Sequence, residues 1–513
     1  MACGIADGKE NRLVFGLRFF ECFWAPRIPV NGVICMLQKV GAFFFGQTVR
    51  HFLYNRISAM PIPTTEQEQL LDTLKEFLRI PSVSTAPEHK ADVLRAANFV
   101  ASHLRKAGLN AVELIEGAGH PMVYAEWMGA PGKPTILFYG HYDVQPPEPL
   151  EEWISPPFEP TVRNNNIYAR GATDDKGQTL IQMEAVARTL QRTGKLPVNV
   201  RFLIEGEEEV GGESIEAYVK SKPARLKADA AVICDSEMFA PELPTLCVGL
   251  RGIVYGELHI SAAAQDLHSG VYGGAAPNPL QAAAEIISAL KDRDGHIQIP
   301  GFYEAVLPPT AAEREAWSRL PFDEEEYRKK EVGSKELVGE PGLGVLERTW
   351  VRPTFEVHGI RGGFTGEGAK TVIPAKVLVK ISIRLVPAQD PEVASQQLGK
   401  AIEAACPRGV TAEWKPLQGG PPCVVDTNNP FIAAASRAME EVFAQKTVFI
   451  RSGGSIPVVG LFQNELAIPC VLMGFGLPDD NLHAPNEKLH LPNFFRGIEA
   501  VEKFMEQAAL AAP

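Results

Sequence analysis

Four short apolar segments of this chain end in loops that carry carboxylates or histidines. Thr135-Ile136-Leu137-Phe138-Tyr139 runs into Gly140-His141-Tyr142-Asp143, and Val198–Ile204 runs into Glu205-Gly206-Glu207-Glu208-Glu209. Ala231–Cys234 ends at Asp235, and a segment near 468–474 leads to a loop with Asp479, Asp480 and His483. Short apolar runs rich in β-branched and aromatic residues read as buried strands. Helical patterns alternate with them, which places the chain in the α/β class. In open α/β sheets ligands sit outside the carboxyl ends of the strands, so these loops occupy positions fit for a site.

The other elements follow from the same patterns. Thr65 and Glu68 form a capping box ahead of Leu70, Leu71, Leu74, Phe77 and Leu78, whose spacing fits one helical face ended by Pro81. A second helix, 92–107, closes on Gly108. Strands are predicted near 111–115, 122–128, 135–144, 198–205 and 230–235, with a helix near 178–193. Beyond 246 the character changes, with strands at 246–262 and 376–386, helices at 279–291 and 392–405, and a charged stretch from Pro308 to Arg348. Alternation resumes after Pro416 with helices near 430–444 and 493–508 and a strand near 468–474. The simplest organisation is a doubly wound domain with a mixed sheet, 61–246 plus 416–513, interrupted by an inserted α+β domain at 247–415.

Composition narrows the function. With 513 residues and 45% hydrophobic side chains the chain can bury a sizeable core. Its net charge of −12 repels phosphate backbones, so nucleic acid is a poor partner. Eight cysteines without a C-x-x-C pair suit buried thiols in a reducing compartment, and the reading is cytoplasmic. Residues 1–60 stand apart, with eight of the 26 phenylalanines and a net charge of +4. Their most apolar stretch, Val33–Val49, is broken by Gln38, Lys39 and Gln47, short of the roughly 20 residues of a membrane span. Asp7, Glu10 and Glu21 interrupt any signal-peptide core. We therefore expect a poorly ordered N-terminal extension, with Met60 as an alternative start, and no membrane partner.

Residues two apart on a strand face the same side, so His141 and Asp143 point together. Alone, that pair also reads as a structural His–Asp hydrogen bond. Arg170-Gly171-Ala172-Thr173-Asp174-Asp175-Lys176-Gly177 opens a helix, and its paired carboxylates read in isolation as a solvated turn. The four carboxylates of 205–209 change the balance, because crowded like charges call for a compensating cation. Two histidines and three carboxylates suit zinc or manganese, and no thiolate joins them.

Together these segments resemble the dinuclear zinc exopeptidases and amidohydrolases that include carnosinase, cytosolic non-specific dipeptidase, carboxypeptidase G, aminoacylase and succinyl-diaminopimelate desuccinylase. The motifs are GHYDVQP (140–146), RGATDDKG (170–177), EGEEEVG (205–211), DLHSGVYGG (266–274), AKTVIP (369–374), SIRLVP (382–387) and GGSIP (453–457). The similarity covers about 61–513, with the seven motifs in order, and the chain looks most like the dipeptidase branch. The resemblance implies two divalent ions per subunit, zinc first, with manganese or cobalt as alternatives. It makes Asp174 the bridging ligand, gives His141 and Asp235 to one ion and Glu209 and His483 to the other, and makes Glu208 the general base. Asp143 is implied to orient His141, and a cis peptide is implied at Asp174–Asp175. The inserted domain is then a dimerisation or lid domain whose His268 reaches the partner subunit's site in a homodimer. Arg384 is implied to grip the substrate's C-terminal carboxylate, with Thr371, Ser455, Gly453 and Gly454 as further substrate contacts.

The implied activity is hydrolysis of the peptide bond of dipeptides and short peptides. An N-acyl-amino-acid deacylase could use the same dinuclear site. From another class, a non-catalytic metal-dependent scaffold could retain the fold. Five ligands together with Glu208 speak against the scaffold. His120, His259, His296, His358 and His490 match no ligand position, and Glu207 has no functional reading.

Overall fold

The computed structural model describes residues 64–511, apart from the side chain of Gln418, so the expectation for 1–60 lies outside the described residues. The first helix, α1 (Thr65–Leu78), buries Leu70, Leu74, Phe77 and Leu78. Its capping box is one residue earlier than predicted: Thr64 Oγ1 accepts from Gln67 N at 3.2 Å, and Gln67 Oε1 accepts from Thr64 N at 3.1 Å. Thr64-x-x-Gln67 fits the same motif as Thr65-x-x-Glu68, and the earlier register brings Thr65 into the helix. Helix α2 (Lys90–Lys106) is followed by Gly108 at φ +94°, as its C-terminal glycine predicts.

A nine-stranded mixed sheet forms the larger layer. Its strands are β1 (Asn110–Ile115), β2 (Met122–Trp127), β3 (Thr135–His141), β4 (Asn199–Glu205), β5 (Ala230–Ile233) and β6 (Thr245–Leu250). A second sheet takes β7 (Gly252–Ser261), β8 (Thr354–Arg361), β9 (Lys376–Leu385) and β10 (Thr411–Gly420). The chain then returns to the first with β11 (Cys423–Val424), β12 (Val448–Ser452) and β13 (Cys470–Leu472). The large sheet runs β1-β2-β4-β3-β5-β13-β6-β11, with β12 beside β6. Strands β4, β3, β5 and β13 are mutually parallel, so their carboxyl ends share one edge.

Both faces of those strands are covered, as parallel strands require. Leu137, Tyr139, Leu203 and Ile233 belong to one core, with Ile215 and Val219 of α4 (Glu213–Ser221) and with Val459 and Phe462. Ile136, Phe138, Phe202 and Val232 on the alternate positions are equally buried, and Phe138 stacks on Phe202 at 5.1 Å. Helix α3 (Lys176–Thr193) is packed with β3 and with the C-terminal helix α8 (Leu491–Ala508).

The strand predicted as continuous over 246–262 is divided at Arg251. Leu250 pairs with Cys423 in the large sheet, and Gly252 pairs with Leu385 in the small one. The return passes through Pro421–Pro422, beside the departure. The small sheet is antiparallel, ordered β8-β9-β7-β10, and β7 alternates strictly between buried and half-exposed residues. Its buried face packs against α5 (Pro279–Leu290) and α6 (Pro391–Ala405). The charged stretch 308–348 folds into short helices whose Trp317, with Trp350 just beyond it, joins the large-sheet core, the two rings 5.3 Å apart. Helix α7 (Pro430–Phe443) packs on α8.

One buried carboxylate organises the loop ahead of α3. Glu487 accepts from Arg170 Nη1 at 2.7 Å and from the backbone N–H groups of Gly171, Thr173 and Asp174 at 2.8, 3.0 and 3.1 Å. Both side chains of the Arg170–Glu487 pair are almost fully buried. Glu487→Gln uncouples the Arg170 charge and replaces an acceptor by a donor among three N–H groups. It should destabilise the protein by about 3–5 kcal/mol in urea unfolding, the cost of breaking a buried pair.

Candidate metal centre

The shared carboxyl edge of β3, β4, β5 and β13 collects the acidic loops. His141 closes β3, Asp235 lies two residues past β5, and Glu209 lies in a single turn after β4. Asp174 comes from the loop held by Glu487. His483 follows β13 in a loop tied down by Asp480, whose carboxylate accepts from Leu477 N and Thr173 Oγ1, each at 2.8 Å, and from Lys488 Nζ at 2.7 Å. His483 itself has φ +59°, a left-handed conformation uncommon for a residue with a side chain. The Asp174–Asp175 peptide is cis.

Two donor groups result, and they share one residue. His141, Asp174 and Asp235 form one, and Asp174, Glu209 and His483 the other, each with ligand atoms within 4.8 Å of one another. Asp174 Oδ1 faces His141 Nε2 at 3.1 Å, and its Oδ2 faces His483 Nε2 at 2.8 Å. Asp235 Oδ2 lies 3.9 Å from His141 Nε2, and Glu209 Oε2 lies 3.5 Å from His483 Nε2. Asp143 Oδ1 is 3.4 Å from His141 Nδ1, whose hydrogen bond goes to the Asp143 carbonyl at 3.2 Å.

The electrostatics are those of a site with too much negative charge. Burial pushes Asp235 up to about 6 and Glu209 up to about 8, with the Asp174 charge adding to both. Burial also holds Glu208 well above the usual carboxylate range, with His141 opposing the shift and the charges of Asp235, Glu209 and Asp174 adding to it. Burial would raise Asp174 as well, but the two imidazoles hold it low, while its hydrogen bond lifts His483 to about 9. His141 Nε2 and Glu209 Oε1 are buried without an aligned hydrogen-bond partner. Unpaired buried acceptors amid crowded carboxylates fit divalent cations, which replace protons on such ligands. Imidazole and carboxylate donors in these proportions suit borderline-to-hard ions.

The remaining predicted residues form two further groups. Arg384 Nη1 donates to Ser455 Oγ at 2.7 Å, and Ser455 Oγ donates to the Arg251 carbonyl at 2.5 Å. Arg251 Nε donates to Gly453 O at 3.0 Å, and a Cβ on Gly453 would lie 2.7 Å from Arg251 Nη2 and 2.9 Å from the Thr349 carbonyl oxygen, a backbone approach that favours glycine. His268 and Thr371 sit together on the short ribbon of 267–268 with 372–373, where Ser269 N donates to Thr371 O at 3.0 Å. Both are exposed, and the His268 ring accepts from Gly270 N through Nδ1. Among the described residues no hydrogen bond or ion pair links His268 to the metal-ligand groups.

Sequence reasoning passed over several residues. Gln145 Nε2 donates to Glu209 Oε2 at 2.7 Å, and Asp175 Oδ2 accepts from His141 N at 3.1 Å. Both stand inside quoted motifs, but the spacing does not reveal their partners. Glu207 plays a structural part, for its carboxylate accepts from His120 N at 2.7 Å and Ser214 N at 3.1 Å and so joins a distant loop to α4. Among the described residues no helix is long and apolar enough to cross a membrane.

Comparison with known proteins identifies relatives of this chain. Residues 137–507 match the profile of Peptidase family M20/M25/M40. The Beta-Ala-His dipeptidase of Rattus norvegicus is 33% identical over 85% of this chain and 92% of its own length. The Cys-Gly metallodipeptidase DUG1 of Candida albicans is 31% identical over 88% and 98%. The crystal structure of an M20 family metallo-carboxypeptidase from Sulfolobus solfataricus superposes with a TM-score of 0.77 at 34% identity, covering 86% of this chain and 99% of that one. On the extent of these matches, the chain belongs to Peptidase family M20/M25/M40.

Proposed function

We propose that the protein is a metal-dependent dipeptidase that hydrolyses the peptide bond of dipeptides and short peptides. The observation that carries this reading is the pair of donor groups sharing Asp174, with the half-buried Glu208 beside them. The dipeptidase names of relatives that align over most of the chain support the substrate class. In this reading His141, Asp174 and Asp235 would hold one ion, and Asp174, Glu209 and His483 the other. Zinc is the expected ion, with manganese or cobalt as alternatives. When bound, a pair of divalent ions acidifies water and polarises a carbonyl.

The chain's own residues supply the rest. Glu208 takes the proton of the attacking water on its carboxylate and returns it to the leaving amine, a role suited to a carboxyl held above its usual range. Asp143 orients His141, and Gln145 holds Glu209 through Oε2, leaving Oε1 without a hydrogen-bond partner. Arg384, paired with Ser455, receives the substrate's C-terminal carboxylate through its guanidinium fork. A free C-terminal carboxylate is common to dipeptidase and carboxypeptidase substrates. We further propose a homodimer in which His268 and Thr371 complete the partner subunit's site; the exposure of His268 and its lack of contact with the local cluster support this. Cytoplasmic location is part of the same reading.

Three measurements test it. Zinc-loaded protein should cleave free dipeptides faster than N-acetyl or N-succinyl amino acids, and the reverse order would make it a deacylase. Glu208→Gln should keep two equivalents of metal by elemental analysis while kcat falls by about 10²–10⁴-fold, the usual contribution of a general base. Full activity in that variant would remove Glu208 from the mechanism. Arg384→Ala should lower kcat/KM for free dipeptides by about 10–100-fold, mainly through KM, the scale of one hydrogen-bonded charge. It should leave substrates amidated at the C-terminus nearly unaffected.

A further inference from the structure

A cavity of about 190 Å³ opens beside Glu208, between the start of α4, the 419–421 turn and the segment 457–465. At roughly 30 Å³ per water it has room for one long side chain. One part of its wall is apolar, with Ile215 and Val458 buried and Leu461 half-buried, and the rest carries polar and charged side chains. At its floor lies Glu205, only 2% exposed. One oxygen of that carboxyl is occupied: Tyr139 Oη donates to Glu205 Oε1 at 2.7 Å. The other, Oε2, is buried with no hydrogen-bond partner. Gly212, on the cavity wall with φ +63°, stands directly against this carboxyl: a Cβ there would lie 3.4 Å from Oε2 and 3.8 Å from Oε1.

An unsatisfied buried acceptor at the end of a partly apolar channel is costly unless an incoming group donates to it. The rim favours one kind of donor. Lys220 is paired with Glu216 at 2.5 Å, and Glu465 adds a second carboxylate against that single cation. We infer that this cavity is a substrate side-chain subsite in which Glu205 Oε2 selects side chains with an apolar stem and a terminal amine, of the lysine or ornithine type. The inference rests on the dipeptidase reading, because Glu208 both lines the cavity and serves as the base there. Glu205 touches neither the reacting bond nor the ligand groups through its side chain and is a specificity residue. The stem would lie along Ile215, Val458 and Leu461 while the amine replaces the missing donor.

Lysine and norleucine share the stem and differ in the amine, so they form the test pair. Zinc-loaded Glu208→Gln protein, full chain, is titrated calorimetrically with Lys-Ala, Nle-Ala, Ala-Lys, Ala-Nle, N-acetyl-lysine and N-acetyl-norleucine, and the wild type is assayed on the same set. Lysine should bind about tenfold or more tighter than norleucine at one position, as for a hydrogen bond to a charged group. Adding Glu205→Gln should erase that preference by weakening the lysine ligands alone. Leu461→Trp, which fills the cavity from its half-buried wall, should erase it too and keeps the test open if Glu205→Gln misfolds. Equal binding in every pair, tighter norleucine, or a lysine preference that survives both substitutions would overturn the assignment. Loss of turnover on all dipeptides with the lysine preference intact in binding would overturn the dipeptidase reading and leave the subsite standing.

Discussion

Asp174 is the one carboxylate that both histidines of the centre approach, and much of the surrounding structure serves to keep it there. Its backbone N–H is held by Glu487, which also anchors Arg170 and two neighbouring amides. Its side chain faces His141 on one oxygen and His483 on the other. Burial, with the repulsion of neighbouring carboxylates added, holds Asp235, Glu208 and Glu209 above their ordinary range. The same crowding that penalises the ion-free state is what gives such a centre affinity for divalent metal.

The second constraint is architectural. Four parallel strands direct their carboxyl ends to one edge, while the small sheet is attached through crossings at Arg251 and at Pro421–Pro422 that lie side by side. Arg251 is also the residue that Ser455 and Gly453 bind, so the attachment point and the Arg384–Ser455 group form one structure. A substrate carboxylate received at Arg384 would therefore be referenced to the crossing itself. That coupling of recognition to the crossing is a packing result rather than a property of any motif.

Much of the chemistry was legible in the chain because it lies at the ends of strands with unmistakable patterns. TILFY before GHYD and NVRFLI before EGEEE mark both the strand and the loop that follows. Helix α2 could be read from its apolar face and glycine stop. The α1 cap was misplaced by one residue because two overlapping sequences satisfy the same motif. The division of 246–262 was missed because a strand of six residues and one of ten follow each other with Arg251 alone between them, and periodicity carries no sign of a change of sheet. The short helices around Trp317 and Trp350 were hidden in a charged stretch, since their order comes from burial of the two indoles in a distant core.

What the sequence by itself determined is the α/β fold class and the candidate metal-ligating side chains, because these follow from local periodicity and from residue types in the loops at strand ends. Only the tertiary structure decided that Asp174 stands between two imidazoles, that Glu487 and Gln145 hold the ligands in place, and that Glu205 keeps an unpaired oxygen beside Glu208. Those facts depend on contacts between residues up to 317 positions apart. A hydrogen bond or an empty acceptor is set by where the packed chain places its partners, and no local pattern encodes that distance.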